Sequence, residues 1–264
     1  MSALPLLRRS LADSWRGLIG WALGLAAVAG LYLPLFPSFG GGSQFADIID
    51  SLPPELVSAL NYDQITSGAG YTQGTVYGLL GFVLLTIAAT GWAAAAIAGD
   101  DERGTLELTL AHGVSRTQLV LERSAAIAIK LTALVSWITI IVLALNGPSE
   151  LDLAVGNVIA GGIALLGLSL LIAMVGVLAG ALVGRRVIAV GAAAGLAVAA
   201  YAANAVGNQS PDLEWLHAVS PYHWAFGQSP LADGLSAPVA LLYALAVLAL
   251  IGAVAAFQRR DVGV

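Results

Sequence analysis

Six long apolar runs divide this chain, and its ten arginines fall only in every second gap between them. Arg8, Arg9 and Arg16 precede the first run, and Arg103, Arg116 and Arg123 lie between the second and third. Arg185 and Arg186 separate the fourth from the fifth, and Arg259 and Arg260 follow the sixth. The gaps near 37–73, 146–152 and 207–236 hold no Lys or Arg and carry the acids Asp47, Asp50, Glu55, Asp63, Glu150, Asp152, Asp212, Glu214 and Asp233. Short loops rich in Lys and Arg stay on the cytoplasmic side. The alternation therefore predicts six spans, both termini in the cytoplasm and an acidic outer face.

Composition agrees. Hydrophobic residues make up 58% of the chain and charged residues 10%, against about 25% charged in a soluble domain. The expected fold is all-α, a single polytopic membrane domain over residues 1–264. Its spans are expected at about 18–35, 75–98, 124–145, 155–182, 187–206 and 238–257. Each is long enough for a hydrocarbon core of about 30 Å at 1.5 Å per residue. Trp15, Trp21 and Tyr32 suit the interfaces of the first span, which reads as a retained helix and not a signal peptide. Without cysteine there is neither a disulfide framework nor a Cys-based metal site. One Lys amid abundant Ala, Gly and Val reads as a GC-rich bacterial coding sequence, placing the chain in a bacterial cytoplasmic membrane.

Small residues recur at four-residue spacing as Gly20/Gly24, Gly176/Gly180 and Gly191/Gly195. They either pack the six helices together or form a dimer face, since lipid offers no hydrophobic drive and backbones associate where they can approach. Lys130, the only basic residue inside a predicted span, is expected to snorkel back to the cytoplasmic interface. The expected spans contain no Asp or Glu, which argues against an ion-coupled transporter. The outer loops read as amphipathic. Phe45, Ile48, Ile49 and Leu52 have helical spacing before Pro53 and Pro54, and Leu56, Val57 and Leu60 follow. Around Ser220-Pro221, Trp215, Tyr222 and Trp224 suggest an interfacial or re-entrant segment.

The second cytoplasmic stretch, residues 99–116, is the most informative. Asp100 and Asp101 suit a helix start, Leu106 and Leu110 share one face, and Arg103 and Glu107 share another. Gly113 supplies a stop, and Ser115 with Gln118 fits a capping box for the next helix. This predicts a short helix resting on the membrane surface where another protein could push.

Here the sequence resembles a known family. Glu102-Arg103-Gly104-Thr105-Leu106-Glu107, followed by Gly113-Val114-Ser115-Arg116, is similar to the coupling-helix region of ABC type-2 permeases, the exporter class of ATP-binding-cassette transporters. The end of the chain agrees in Ser220-Pro221-Tyr222-His223-Trp224, in Pro230-Leu231 with Gly234, and in Phe257-Gln258-Arg259-Arg260-Asp261. The resemblance covers the whole six-span layout and lies nearest to bacterial antibiotic and polyketide exporters. It implies a half-permease that works with a second copy or a related subunit, whose cytoplasmic helix docks on separate ATPase subunits carrying ATP and Mg. This chain itself would hold no cofactor and catalyse nothing; it lacks G-x-x-x-x-G-K-[ST]. The implied partners are those ATPases, the second permease unit and membrane lipid, with no nucleic acid. A lipophilic or amphipathic cargo is expected because no span offers a charged lining. Antibiotic or natural-product export is favoured, and lipid or polysaccharide export is the alternative. Two readings of another class stand beside it. Glu214, His217 and His223 could bind metal in a membrane-embedded metalloenzyme, or the chain could be a non-transporting scaffold or sensor.

Overall fold

The computed structural model describes residues 4–39, 67–102, 104, 106 and 113–260. Its described residues are helical, without strands, and six helices are long and apolar enough to cross a membrane. They are α1 (Pro5–Tyr32), α2 (Gly68–Ala96), α3 (Arg116–Asn146), α4 (Val155–Val183), α5 (Arg186–Gly207) and α6 (Val239–Arg259). In hydrocarbon each backbone N–H and C=O must find its partner within the segment, so apolar runs of this length fold as helices. The expected amphipathic segment over residues 45–60 lies outside the described residues.

α4 forms the centre. Of its most apolar stretch 72% is buried, against 17% for α1 and 28% for both α5 and α6. It packs against α2, α3, α5 and α6, while α1 rests mainly on α3. Small residues make this possible. A Cβ on Gly176 would sit 2.9 Å from that of Ala93 in α2 and 3.1 Å from that of Ala193 in α5. On Gly162 it would stand 2.7 Å from the Thr139 hydroxyl of α3. These helices approach at backbone distance, the packing expected where lipid supplies no hydrophobic drive.

Helices α1 and α2 differ from the sequence expectation, as does the start of α3 at Arg116 rather than near residue 124. α1 begins at Pro5 rather than near residue 18, because its polar first turns continue the helix and its start is held from outside. The Glu122 carboxylate of α3 accepts the Leu7 N–H at 2.9 Å, satisfying one of the orphan donors of a helix N-terminus. In α2, Gln73–Gly81 is π-helical, a local widening of the kind often found at functional positions.

At the acidic end three short helices, Trp215–Val219, Pro221–Phe226 and Pro230–Asp233, fold back between α5 and α6. The π-helical stretch holds them. Gln73 donates to the Phe226 carbonyl at 3.2 Å and accepts from the Leu231 N–H at 3.4 Å. The Tyr222 hydroxyl donates to the Gly78 carbonyl at 2.9 Å. The expected aromatic segment is thus a docked hairpin bonded to α2.

Candidate functional site

At the arginine-bearing end, α2 stops at Ala96 and Ile97 leaves helical geometry (φ −125°, ψ −59°). The turn Ala98–Glu102 then presents three successive carboxylates, and each goes to a different helix. Asp100 pairs with Arg123 of α3, whose guanidinium also donates to the Ala96 carbonyl at 2.8 Å. Asp101 pairs with Arg260, just past α6. Arg260 in turn donates to the Gly180 and Ala181 carbonyls at the end of α4, at 3.3 and 3.4 Å. The Glu102 carboxylate accepts the Arg186 N–H at 2.8 Å, where α5 begins and where a helix dipole favours negative charge. These carboxylates link α2 to four other helices.

The chain returns through Gly113, whose φ of +83° suits glycine. Ser115 caps α3 by accepting the Gln118 N–H at 3.1 Å. Only half of the expected capping box forms, because the Gln118 side chain turns to Glu122 at 2.6 Å instead of back to Ser115. Arg116 points inward. It donates to the carbonyls of Phe257 and Gln258, both at 3.3 Å, and to that of Arg260. Unsatisfied carbonyls at the end of α6 carry partial negative charge, so a guanidinium is well placed there. Gln258 adds a bond of 2.7 Å to the Thr117 hydroxyl.

The segment between thus leaves beside Asp101–Arg260 and returns beside Arg116–Arg260, with both ends fixed to the same turn of α6. Of its expected site residues, Glu102, Gly104, Leu106, Gly113, Ser115 and Arg116 are described, and Leu106 is buried at 1% exposure. Arg103, Thr105 and Glu107 lie outside the described residues, as does the body of the expected surface helix.

Two residues behave differently from their sequence reading. Glu122, just before the expected start of the third span, lies within α3 and is 2% exposed. The helix extends to Arg116, so its first two turns bring a carboxylate into the bundle. Lys130 does not snorkel. It is 5% exposed, with Nζ 4.4 Å from the ring centroid of Trp92, because its face of α3 is covered by α2.

The three glycine pairs separate cleanly. Gly176 and Gly180 pack inside the bundle, whereas a Cβ on Gly20, Gly24, Gly191 or Gly195 would meet nothing within 4 Å. Those four leave open grooves on α1 and α5.

The proposed metal ligands adopt another arrangement. The rings of His217 and His223 stack with centroids 3.9 Å apart and planes 9° from parallel. His217 Nε2 bonds Asn208 Oδ1 and His223 Nδ1 bonds Asn204 Oδ1, each at 2.9 Å. Gly207 lies against the His217 ring and Gly227 against the His223 ring, where a Cβ would collide with them. Imidazole lone pairs lie in the ring plane, so parallel stacked rings do not converge on one ion. Burial, then the neighbouring His217, pushes His223 down from 6.5 to about 4, with Glu214 opposing.

Comparison with known proteins adds one finding. A family model described as ABC-2 family transporter protein matches residues 4–262, nearly the whole chain. No curated protein matches it.

Proposed function

Because the chain belongs to the ABC-2 transporter family, we propose that it is the permease subunit of an exporter for a lipophilic or amphipathic molecule. Membership makes it a multi-pass membrane transport subunit that associates with an ABC ATPase. The arginine-bearing end faces the cytoplasm, by the alternation of basic residues, and the ATPase engages residues 103–112 there. Antibiotic or other natural-product cargo is the favoured class, by resemblance to bacterial exporters of that kind.

One observation supports this reading above the others. The segment an ATPase would touch is held at both ends by side chains reaching α3, α4, α5 and α6. Force applied to residues 103–112 would reach the bundle through these bonds, not through a slack loop. Arg116 serves as the return anchor, so the residues left for the motor are those between the anchors, Arg103, Thr105 and Glu107 among them. The working unit is a pair of permease chains. Gly20/Gly24 on α1 and Gly191/Gly195 on α5 offer grooves where a second copy could approach closely.

The test uses the chain with the ATPase that co-purifies with it. Glu107→Arg is expected to leave the membrane protein at normal abundance while ATP hydrolysis no longer drives export. Replacing residues 103–112 with a flexible linker should abolish ATPase co-purification. Full export by Glu107→Arg, together with retained ATPase in the linker variant, refutes the coupling assignment.

A further inference from the structure

Two cations lie on one face of α3 and meet different fates. Arg123 and Lys130 are seven residues apart, two turns and about 10 Å along the axis, and both turn toward α2. Arg123 is fully answered, by the Asp100 carboxylate and the Ala96 carbonyl. Lys130, deeper in the membrane, meets the half-buried indole of Trp92, one turn before Ala96. The six spanning helices contain two carboxylates. Asp13 is exposed beside Arg9, and Glu122 is engaged by the Leu7 N–H and Gln118. Neither answers Lys130.

The magnitudes show what is missing. A cation at the centre of a spanning helix costs roughly 2.5–3.5 kcal/mol on insertion scales, and a desolvated cation–π contact offsets about 2 of it. The indole covers one side of an ammonium that carries three N–H donors. Among the described residues, no oxygen accepts a hydrogen bond from Nζ. A methionine would fill the same space without any of this cost. Packing alone therefore does not explain the charge.

We infer that Lys130 and Trp92 form a receiving site for the anionic group, phosphate or carboxylate, of an amphipathic molecule in the arginine-side leaflet. The ammonium binds the anion, and the indole lies against the molecule's apolar part. The inference rests on the exporter reading only in treating such a molecule as cargo; the binding itself requires no ATPase.

The full chain is reconstituted in phosphatidylcholine vesicles containing brominated phosphatidylglycerol or, separately, brominated phosphatidylcholine. Emission from Trp92 is isolated by subtracting the Trp92→Phe signal. The brominated anionic lipid is expected to quench Trp92 about threefold more strongly, a preference within reach of one charge-assisted contact. Lys130→Arg retains that preference, and Lys130→Met reduces it to parity while melting no lower than the parent. Dodecyl phosphate reverses the excess quenching and inorganic phosphate does not, which separates a membrane-borne anion from a free one. Equal quenching by the two headgroups in the parent protein, or reversal by inorganic phosphate alone, overturns the inference. Either result would leave the coupling assignment at residues 103–112 standing, since no motor takes part in the measurement.

Discussion

If Asp101 and Arg260 tie the start of segment 103–112 to α6, a double-mutant cycle will measure that tie. The two side chains retain 21% and 19% of their exposure, so the pair lies between two known limits. Exposed ion pairs contribute about 0.2–1 kcal/mol, and removing one partner of a buried pair costs about 3–5. Asp101→Asn leaves Arg260 with the carbonyls of Gly180 and Ala181, which places its cost between those limits, about 1.5–3 kcal/mol. Arg260→Gln strands Asp101 and loses those carbonyl bonds, so it should cost about 2–4 kcal/mol. In the double variant neither charge is stranded, and the two costs should overlap by about 1–3 kcal/mol. The assay is thermal unfolding of the four proteins in one detergent, where about 1 kcal/mol moves the midpoint of a chain near this size by about 2–4 °C. Arg9 and Asp13 provide the internal control. They form a pair 83% and 73% exposed on the same helix turn, expected to couple by less than about 0.5 kcal/mol. Costs at Asp101 and Arg260 that add within about 0.5 kcal/mol would refute the tie, because independent sites add to that tolerance.

Two further outcomes follow from contacts elsewhere in the bundle. Glu122→Ala removes a charge-assisted cap from α1 and orphans Gln118, and should lower stability by about 2–4 kcal/mol, with Glu122→Gln losing about half as much; an unchanged melting temperature for Glu122→Ala would contradict the capping role. The histidine stack makes the acidic end acid-sensitive. With His223 pushed from 6.5 to about 4, the undocked ring binds more protons between those values. Docking is therefore fully supported above pH 6.5 and weakens as pH falls toward 4. At pH 5 the two values imply about 2 kcal/mol, and about 1 after solvent screening of a half-exposed group. Melting should drop by about 2–4 °C between pH 7.5 and 5, and His223→Gln should flatten that slope; an equal slope in both proteins removes the stack as its cause.

What could be read from the sequence divides by the range of the interaction. Helices are local, so the apolar runs placed α4 and α5 within a residue or two at each end. They missed the first turns of α1 and α3 because Arg8, Arg9, Arg16, Glu122 and Arg123 look like loop residues when only hydropathy is counted. Arg8, Arg9 and Arg16 stay exposed along α1, whereas Glu122 and Arg123 are carried inside the bundle by partners distant in sequence. Leu7 and Glu122 are 115 residues apart, and Asp101 and Arg260 are 159 apart. The same reasoning accounts for Lys130. Snorkelling was the cheapest solution for an isolated helix, but α2 covers that face and supplies Trp92 in place of water.

The candidate site follows the same division, with a physical reason for each half. Asp100 and Asp101 read as a helix start and Glu102 as part of the coupling-helix motif, and neither reading names a charge partner. The resemblance sent Glu102 toward an ATPase, and nothing local in the sequence points to Arg123 or Arg260. The structure assigns these acids to the bundle itself. That changes how the resemblance motif reads. Glu102 and Arg116 anchor the two ends of the segment, and under the coupling proposal the residues offered to the motor are those between them. A charge reversal at Arg116 therefore acts first on α6, through the carbonyls of Phe257 and Gln258, and should lower thermal stability together with transport. A reversal at Glu107 should spare stability and strike transport alone. Measuring both quantities on both variants separates an anchor from a contact, and equal losses of stability would mean that the two residues belong to one structural unit.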